Sequence, residues 1–423
     1  MTRRMTQAAA KSVSRPALRR KSESERVVAR PDESERNDGL RLARVARRTI
    51  VVHAPSLKFS GARHVAQNII HELGRRGDIA FVHALVPAGR GYERLASEKV
   101  RLHFVPRPLQ FSAAASVWDR KLRRLVEQLH PDAVLNLANI AVAGVDNQFV
   151  LLHWPHPLHM TAEVAHRLPA RERLLTWLKL AAFRRRLHHA RRYFVQTKAG
   201  RDALLHRYGL SARIMPNAVS LQSEMPSAPA ERTDDRCRVL VFSHFYPHKN
   251  LEIVEGLARR VFEDDLRYVF VLTVDPSASR QAAAFLGRLR WAIELGIVDN
   301  RGVVEASEIA RLYASSDVLL LPTLLESFST TYVEAMHFGV PIVTSDRDFA
   351  RSVCGDAACY VDPLSVDEIL AALHAMSASR ALRERLIANG HRAVAARTDW
   401  SDIVGQFMNE VACDLGWGMA QPR

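Results

Sequence analysis

Residues 322–346 read PTLLESFSTTYVEAMHFGVPIVTSD, and this stretch decides what kind of chain this is. The apolar run Val318–Leu321 ahead of it reads as a strand, followed by a loop that carries Glu326. A helical pattern then covers Ser329–Phe338, and Pro341–Thr344 reads as the next strand. The helix start presents free N–H groups and a positive dipole end beside Ser329, Thr330 and Thr331, which together can hold a diphosphate without a metal. Glu326 on the loop is placed to accept hydrogen bonds from sugar hydroxyls, and Glu334 on the helix from a ribose. The competing reading makes Ser329 a plain N-cap and leaves both glutamates solvated.

Working outward, the same alternation continues on both sides. Upstream, Thr49–Ala54, Ile79–Val86, Arg101–Val105, Ala133–Leu137, Phe149–Leu152 and Tyr193–Gln196 read as strands. Helical patterns at His64–Arg75, Ser116–Leu129 and Lys198–Tyr208 separate several of them. Around the deciding stretch, Val239–Phe242, Tyr268–Val274, Gly302–Val304 and Ala358–Val361 are further strands. Helices are expected over Leu251–Glu263, Arg280–Leu295 and Ser307–Ser315. Strand–helix alternation of this kind implies an α/β fold whose parallel sheets are covered on both faces. The polar, proline-bearing stretch Leu221–Asp235 (LQSEMPSAPAERTDD) divides the chain. The expected domains are a first half over 49–222, completed by the C-terminal helix 401–423, and a second half over 223–400. Two such halves place a cleft at the carboxyl ends of their sheets, where ligands bind in these folds.

Composition narrows the function. The chain has 423 residues, 48% of them hydrophobic, and a net charge of +15. Residues 1–48 hold 14 Lys/Arg against 6 Asp/Glu, and they lack apolar periodicity, so they read as a disordered basic tail. Four scattered cysteines without a CxxC pair read as reduced thiols in a cytoplasmic setting. No run of 18 apolar residues occurs, so no spanning helix is expected. Nucleic acid is not the expected partner. Few aromatic residues interleave with the basic clusters, and no DNA- or RNA-binding signature appears. The basic run Arg184–Arg192 (RRRLHHARR) follows an apolar patch around Trp177, which suggests a helix able to lie on an anionic membrane surface. The commoner explanation is a solvated helix face.

These blocks resemble the retaining glycosyltransferases of family 4. The spacing of Glu326 and Glu334 is similar to that family's E-x7-E signature, as are Ala335-Met336 and the run Gly339–Val343. Three more blocks in the same order, Arg192–Asn217, Ser243–Leu251 and Gly302–Pro322, extend the resemblance across roughly residues 50–415. The resemblance implies the GT-B fold, two Rossmann-like domains facing across a cleft. It also implies a nucleotide-sugar donor, GDP- or UDP-linked, a glycan or lipid-linked acceptor, and no metal cofactor. Lys249 matches the family's diphosphate-binding lysine, where a cation neutralises charge growing on the leaving group. His244 stands five residues earlier, where many members have arginine, and His248 also sits where related members often have arginine; one of the two is expected to take part of the phosphate contact. Ser60-Gly61 stands at the family's glycine-rich loop, with Gly61 permitting close backbone approach.

The run His153-Trp154-Pro155-His156-Pro157-Leu158-His159 follows a strand. Its prolines forbid a helix, so the histidines are not expected on one face as metal ligands. The family has a first-domain histidine that contacts the donor sugar. His153 and His156 both remain candidates, with His153 preferred because it ends the strand, and a structural histidine is the alternative. The expected activity is hexosyl transfer of a mannose or glucose type, peripheral at the inner face of a membrane. A non-catalytic sugar-nucleotide-binding protein on the same fold is the rival.

Overall fold

The computed structural model describes residues 47–57, 60–105, 115–218 and 234–417. The expected basic tail, save Arg47 and Arg48, and most of the 221–235 divider lie outside the described residues. The first sheet is built from β1 (Arg48–His53), β2 (Ile79–Pro87), β3 (Val100–Val105), β4 (Ala133–Asn136), β5 (Gln148–Leu152), β6 (Arg192–Val195) and β7 (Ala212–Ile214). The second contains β8 (Cys237–Val241), β9 (Tyr268–Leu272), β10 (Val298–Asn300), β11 (Val318–Leu321), β12 (Ile342–Ser345) and β13 (Ala358–Val361). The helices in chain order are α1 (Ser60–Arg75), α2 (Ala115–Leu129), α3 (His156–His159), α4 (Ala162–Arg167), α5 (Ala170–Arg185), α6 (Lys198–Tyr208), α7 (Ile253–Glu263) and α8 (Arg280–Arg288). They continue as α9 (Arg290–Glu294), α10 (Ile309–Ala314), α11 (Thr330–His337), α12 (Asp348–Cys354), α13 (Val366–Ala378), α14 (Arg380–Ala395) and α15 (Trp400–Asp414).

All strand pairs are parallel. The spatial orders are β3-β2-β1-β4-β5-β6-β7 and β10-β9-β8-β11-β12-β13. The central strands are continuous apolar runs, such as Val318–Leu321, because helices cover both faces and leave no side to water. In each sheet the order reverses once, between β1 and β4 and between β8 and β11. Loops diverge at such a point and leave a crevice at the strand ends. The loop after β8 carries His244–Lys249, the loop after β11 carries Glu326 and Ser329 ahead of α11, and Gly61 stands at the start of the helix α1 that follows β1. The two-domain GT-B architecture expected from the sequence is the one observed.

Local chemistry sets the element ends that matter. Gly339, at φ 68°, ends the helix containing Glu334 in a conformation that costs a glycine little. Gly390 lies against Met336, where an added Cβ would sit 3.1 Å from that side chain, so α14 packs closely on α11. The last helix, α15, returns to the first half. Ile403, Val404, Phe407, Met408 and Val411 join the core beneath β1 and α1, and Phe407 meets Phe194 edge-on at 4.4 Å. Asp414 at its end pairs with Arg192 of β6.

Several expectations need correction. The strand placed at Gly302–Val304 lies instead at Val298–Asn300, since Gly302 turns the chain at φ 68° and leaves Val303 exposed. The helix expected over Arg280–Leu295 breaks after Arg288 into two pieces, and β7, short and half-exposed, gave no clear pattern. The prolines of residues 153–159 do not prevent a helix. One turn forms at His156–His159, with Pro155 before it and Pro157 in its first turn, where a missing N–H costs nothing. Finally, the basic run 184–192 is not a free helical face. The helix ends at Arg185, Arg186 pairs with Asp119 at 2.7 Å, and Arg192 pairs with Asp414. The exposed apolar face lies upstream, on α5, at Leu174, Leu175, Trp177 and Leu178.

Candidate active site

The two switch points meet at the carboxyl ends of the sheets. After β8 the chain forms a short turn at Pro247–Lys249 and then Asn250, a buried residue at φ 55°. After β11 it forms the Pro322–Ser329 loop. Two bonds pin these loops together, because the His248 carbonyl accepts from the Leu324 N–H at 2.8 Å and from the Thr323 hydroxyl at 3.2 Å. The Thr323 carbonyl in turn accepts from Ser345 at 2.6 Å, anchoring the pair to the end of β12. The pinning brings Lys249 and Glu326 into an ion pair. Both are largely buried, and the Lys249 ammonium donates to the Glu326 carboxylate.

The α11 helix begins at Thr330, next to this pair. Ser329 occupies the N-cap position, but its side chain makes no capping bond, so the plain-cap reading does not describe it. The Ser329 hydroxyl thus accepts from none of the first amides, though the Tyr332 N–H donates to the Ser329 carbonyl at 3.3 Å. Ser329 is buried and Thr330 and Thr331 follow it into the first turn. Glu334 lies one turn further along, half-buried, and accepts a 3.0 Å bond from the Tyr313 hydroxyl. Burial raises the Glu334 carboxyl above its ordinary range, and the Tyr313 bond works in the opposite direction. Tyr313 was not singled out from the sequence. Only its place on a helix before β11, facing back toward α11, marks it.

His244 is exposed beside Tyr246, with ring centroids 6.4 Å apart. Partial desolvation and the Lys249 cation hold its imidazole below the usual histidine range. A row of rings then crosses to the first half. Tyr246 stacks on His248 at 5.6 Å, His248 meets His156 edge-on at 5.8 Å, and His156 stacks on Trp154 at 5.3 Å.

From the first half, His153 directly follows β5 and is half-buried. Its backbone N–H donates to Asn139 at 2.8 Å, and its carbonyl accepts from the Ser327 hydroxyl at 2.8 Å, a bond between the halves one residue from Glu326. Its ring Nδ1 has no partner, and burial lowers its pKa to about 4, so the ring is neutral. His156 is likewise lowered to about 4, by burial and then by Lys179. Arg167 of α4 reaches Asn250 at 2.9 Å, and Leu324 and Leu325 pack on Val164 and Met160. Gly61 lies in the first turn of α1, and a Cβ there would meet nothing within 4 Å. Lys249, Glu326, Ser329 and the backbone of His153 are thus brought together, with Glu334 one helical turn away. Among the described residues, no contact joins Gly61 to them.

Residues 230–393 match the family model for glycosyl transferases group 1, the stretch that holds Lys249, Glu326 and Glu334. The phosphatidyl-myo-inositol mannosyltransferase of Mycobacterium leprae is 33% identical over 208 residues, 47% of this chain and 53% of that protein. The match therefore spans about half the length of that relative. Among solved structures, a sucrose-phosphate synthase from Thermosynechococcus elongatus superimposes with a TM-score of 0.69 at 16% identity, covering 88% of this chain and 99% of that one. Anabaena Alr3699/HepE in complex with UDP and glucose gives 0.64 at 16% identity, covering 87% and 100%. At these identities the two structures speak for the fold.

Proposed function

We propose that this chain, whose residues 230–393 form a glycosyl transferases group 1 domain, transfers a hexose of the mannose or glucose type from a GDP- or UDP-linked donor to a glycan or lipid-linked acceptor in polysaccharide synthesis. The observation that carries the reading is the meeting of Lys249 and Glu326 beside an uncapped helix start. That arrangement offers a cation and several N–H donors to a diphosphate, with a carboxylate on the sugar side. Glu334 accepts from the ribose, and the acceptor enters from the first half, past Gly61 and His153. As the C1–O bond to the diphosphate breaks, Lys249 and the helix start meet the charge that develops on the leaving oxygen. The acceptor oxygen bonds C1 from the same face and its proton passes to the departing phosphate, so configuration is retained without a dedicated base. Lys249 takes the charge-neutralising role a metal has elsewhere. Activity is therefore expected to survive excess EDTA, and rescue of a chelated, inactive enzyme by magnesium or manganese would refute this part.

The test is a donor screen by thermal unfolding followed by transfer assays. A donor at 100 times its dissociation constant adds about 2.7 kcal/mol to stability. The reading expects one GDP- or UDP-hexose to protect and to be consumed with acceptor present. Protection without consumption would favour a non-catalytic sugar-nucleotide-binding protein.

We also assign the protein to the cytoplasmic face of a membrane, on the strength of the exposed α5 face. No helix among the described residues is long and apolar enough to cross a membrane. Trp177 is 63% exposed beside Leu174, Leu175 and Leu178. Arg171, Arg173, Arg184 and Arg185 on the same helix are exposed as well. Such a face suits an anionic lipid surface. Co-flotation with anionic liposomes that weakens in high salt is expected, and equal recovery on neutral liposomes would count against it.

A further inference from the structure

We infer that Tyr313 is a positioning residue for nucleotide binding, acting through Glu334. The inference rests on the donor-site reading above. Tyr313 projects from α10 and is fully buried. Its ring is held between Phe338, stacked at 5.1 Å, and Phe242, edge-on at 5.9 Å. Phe242 immediately follows β8 and leads into the loop of His244 and Lys249, while Phe338 caps the far end of α11, so the ring is fixed from the loop after β8 and from α11. The hydroxyl lies 3.0 Å from the Glu334 carboxylate and 3.3 Å from the Thr331 carbonyl.

A phenol has one proton to donate, and the ionised carboxylate is the stronger acceptor at the shorter distance. The bond therefore goes mainly to Glu334 Oε2. This fixes the carboxylate's rotamer and leaves the second oxygen, Oε1, to accept from a ribose hydroxyl. It also favours the ionised form of a group that burial pushes toward protonation. A protonated Glu334 would present a donor where the ribose needs an acceptor. Tyr313 is out of reach of the sugar and the breaking bond, so its effect belongs to holding the nucleoside and not to turnover.

Tyr313→Phe keeps the ring in its aromatic slot and removes one bond. The protein, Tyr313→Phe, Glu334→Gln and the double variant are titrated with GDP, UDP and inorganic diphosphate, after circular dichroism and thermal melts establish that all are folded. For whichever nucleotide the wild type binds, Tyr313→Phe should raise Kd about tenfold, with inorganic diphosphate unaffected and kcat at saturating donor close to wild type. Added to Glu334→Gln, it should cost nothing further. Wild-type nucleotide affinity in Tyr313→Phe while Glu334→Gln binds weakly would overturn the inference and leave the donor-site reading standing. So would an equal loss for inorganic diphosphate, which would mean Tyr313 serves only the helix start. Wild-type affinity in Glu334→Gln would overturn both.

Discussion

The two walls of the cleft are built in opposite ways. The second half presents charge that is already organised. Lys249 meets Glu326, Glu334 is held by Tyr313, and the two loops are tied through the His248 carbonyl. The first half presents neutral, buried imidazoles and an open backbone. His153 has a ring nitrogen without a partner, and beside Gly61 there is empty space where a side chain would fit. On the proposed function, the difference follows from what each wall would hold. A diphosphate is recognised by fixed charge and dipoles, which need no reorganisation when charge moves. A neutral hydroxyl-bearing acceptor needs shape, dryness and close approach, which burial and a missing side chain provide.

The largest effect that could break this comparison is at Lys249. Lys249→Ala should lower kcat/KM by about a hundred- to a thousandfold, roughly 3–4 kcal/mol. Turnover within a few-fold of wild type would mean the charged wall is not the donor wall. Stability against pH tests the buried imidazoles next, most of them in the first half, with His248 lowered by burial in the second. His53, His153, His156 and His159, all in the first half, are lowered by burial from 6.5 to about 4. The unfolded chain therefore binds more protons than the folded one between those values. The stability gained from keeping these rings neutral is full above pH 6.5 and is lost as pH falls toward 4. Denaturant titrations from pH 7 to pH 4.5 should show a progressive loss of stability, and a flat profile would argue that these rings are hydrated. The smallest effect is at Gly61. Gly61→Ala should change stability by less than about 0.5 kcal/mol, while acceptor KM rises several-fold. An unchanged KM would remove close backbone approach from the account.

Strand–helix alternation made the architecture legible, because period and polarity are local properties. Element ends were less so, since Gly302 and the break at Leu289 depend on turn geometry. Spacing along the chain placed Glu326 and Glu334 on a loop and a helix, but it could not reveal Tyr313. That contact joins helices 21 residues apart and depends on which way one ring faces. Composition likewise could not place the basic run Arg184–Arg192 in the fold. Charge counts cannot distinguish a solvated arginine from Arg186 and Arg192, which are bound internally.

The central claim is that Glu326 acts on the sugar, beside a Lys249 reserved for the diphosphate. It is tested most directly by Glu326→Gln, measuring kcat and the Kd for nucleoside diphosphate on the same preparation. Removing the carboxylate takes away the anion that Lys249 meets in the structure, so nucleotide should bind as tightly as before or more tightly. Turnover should fall by about a hundred- to a thousandfold. Weakened nucleotide binding with kcat preserved would contradict the account.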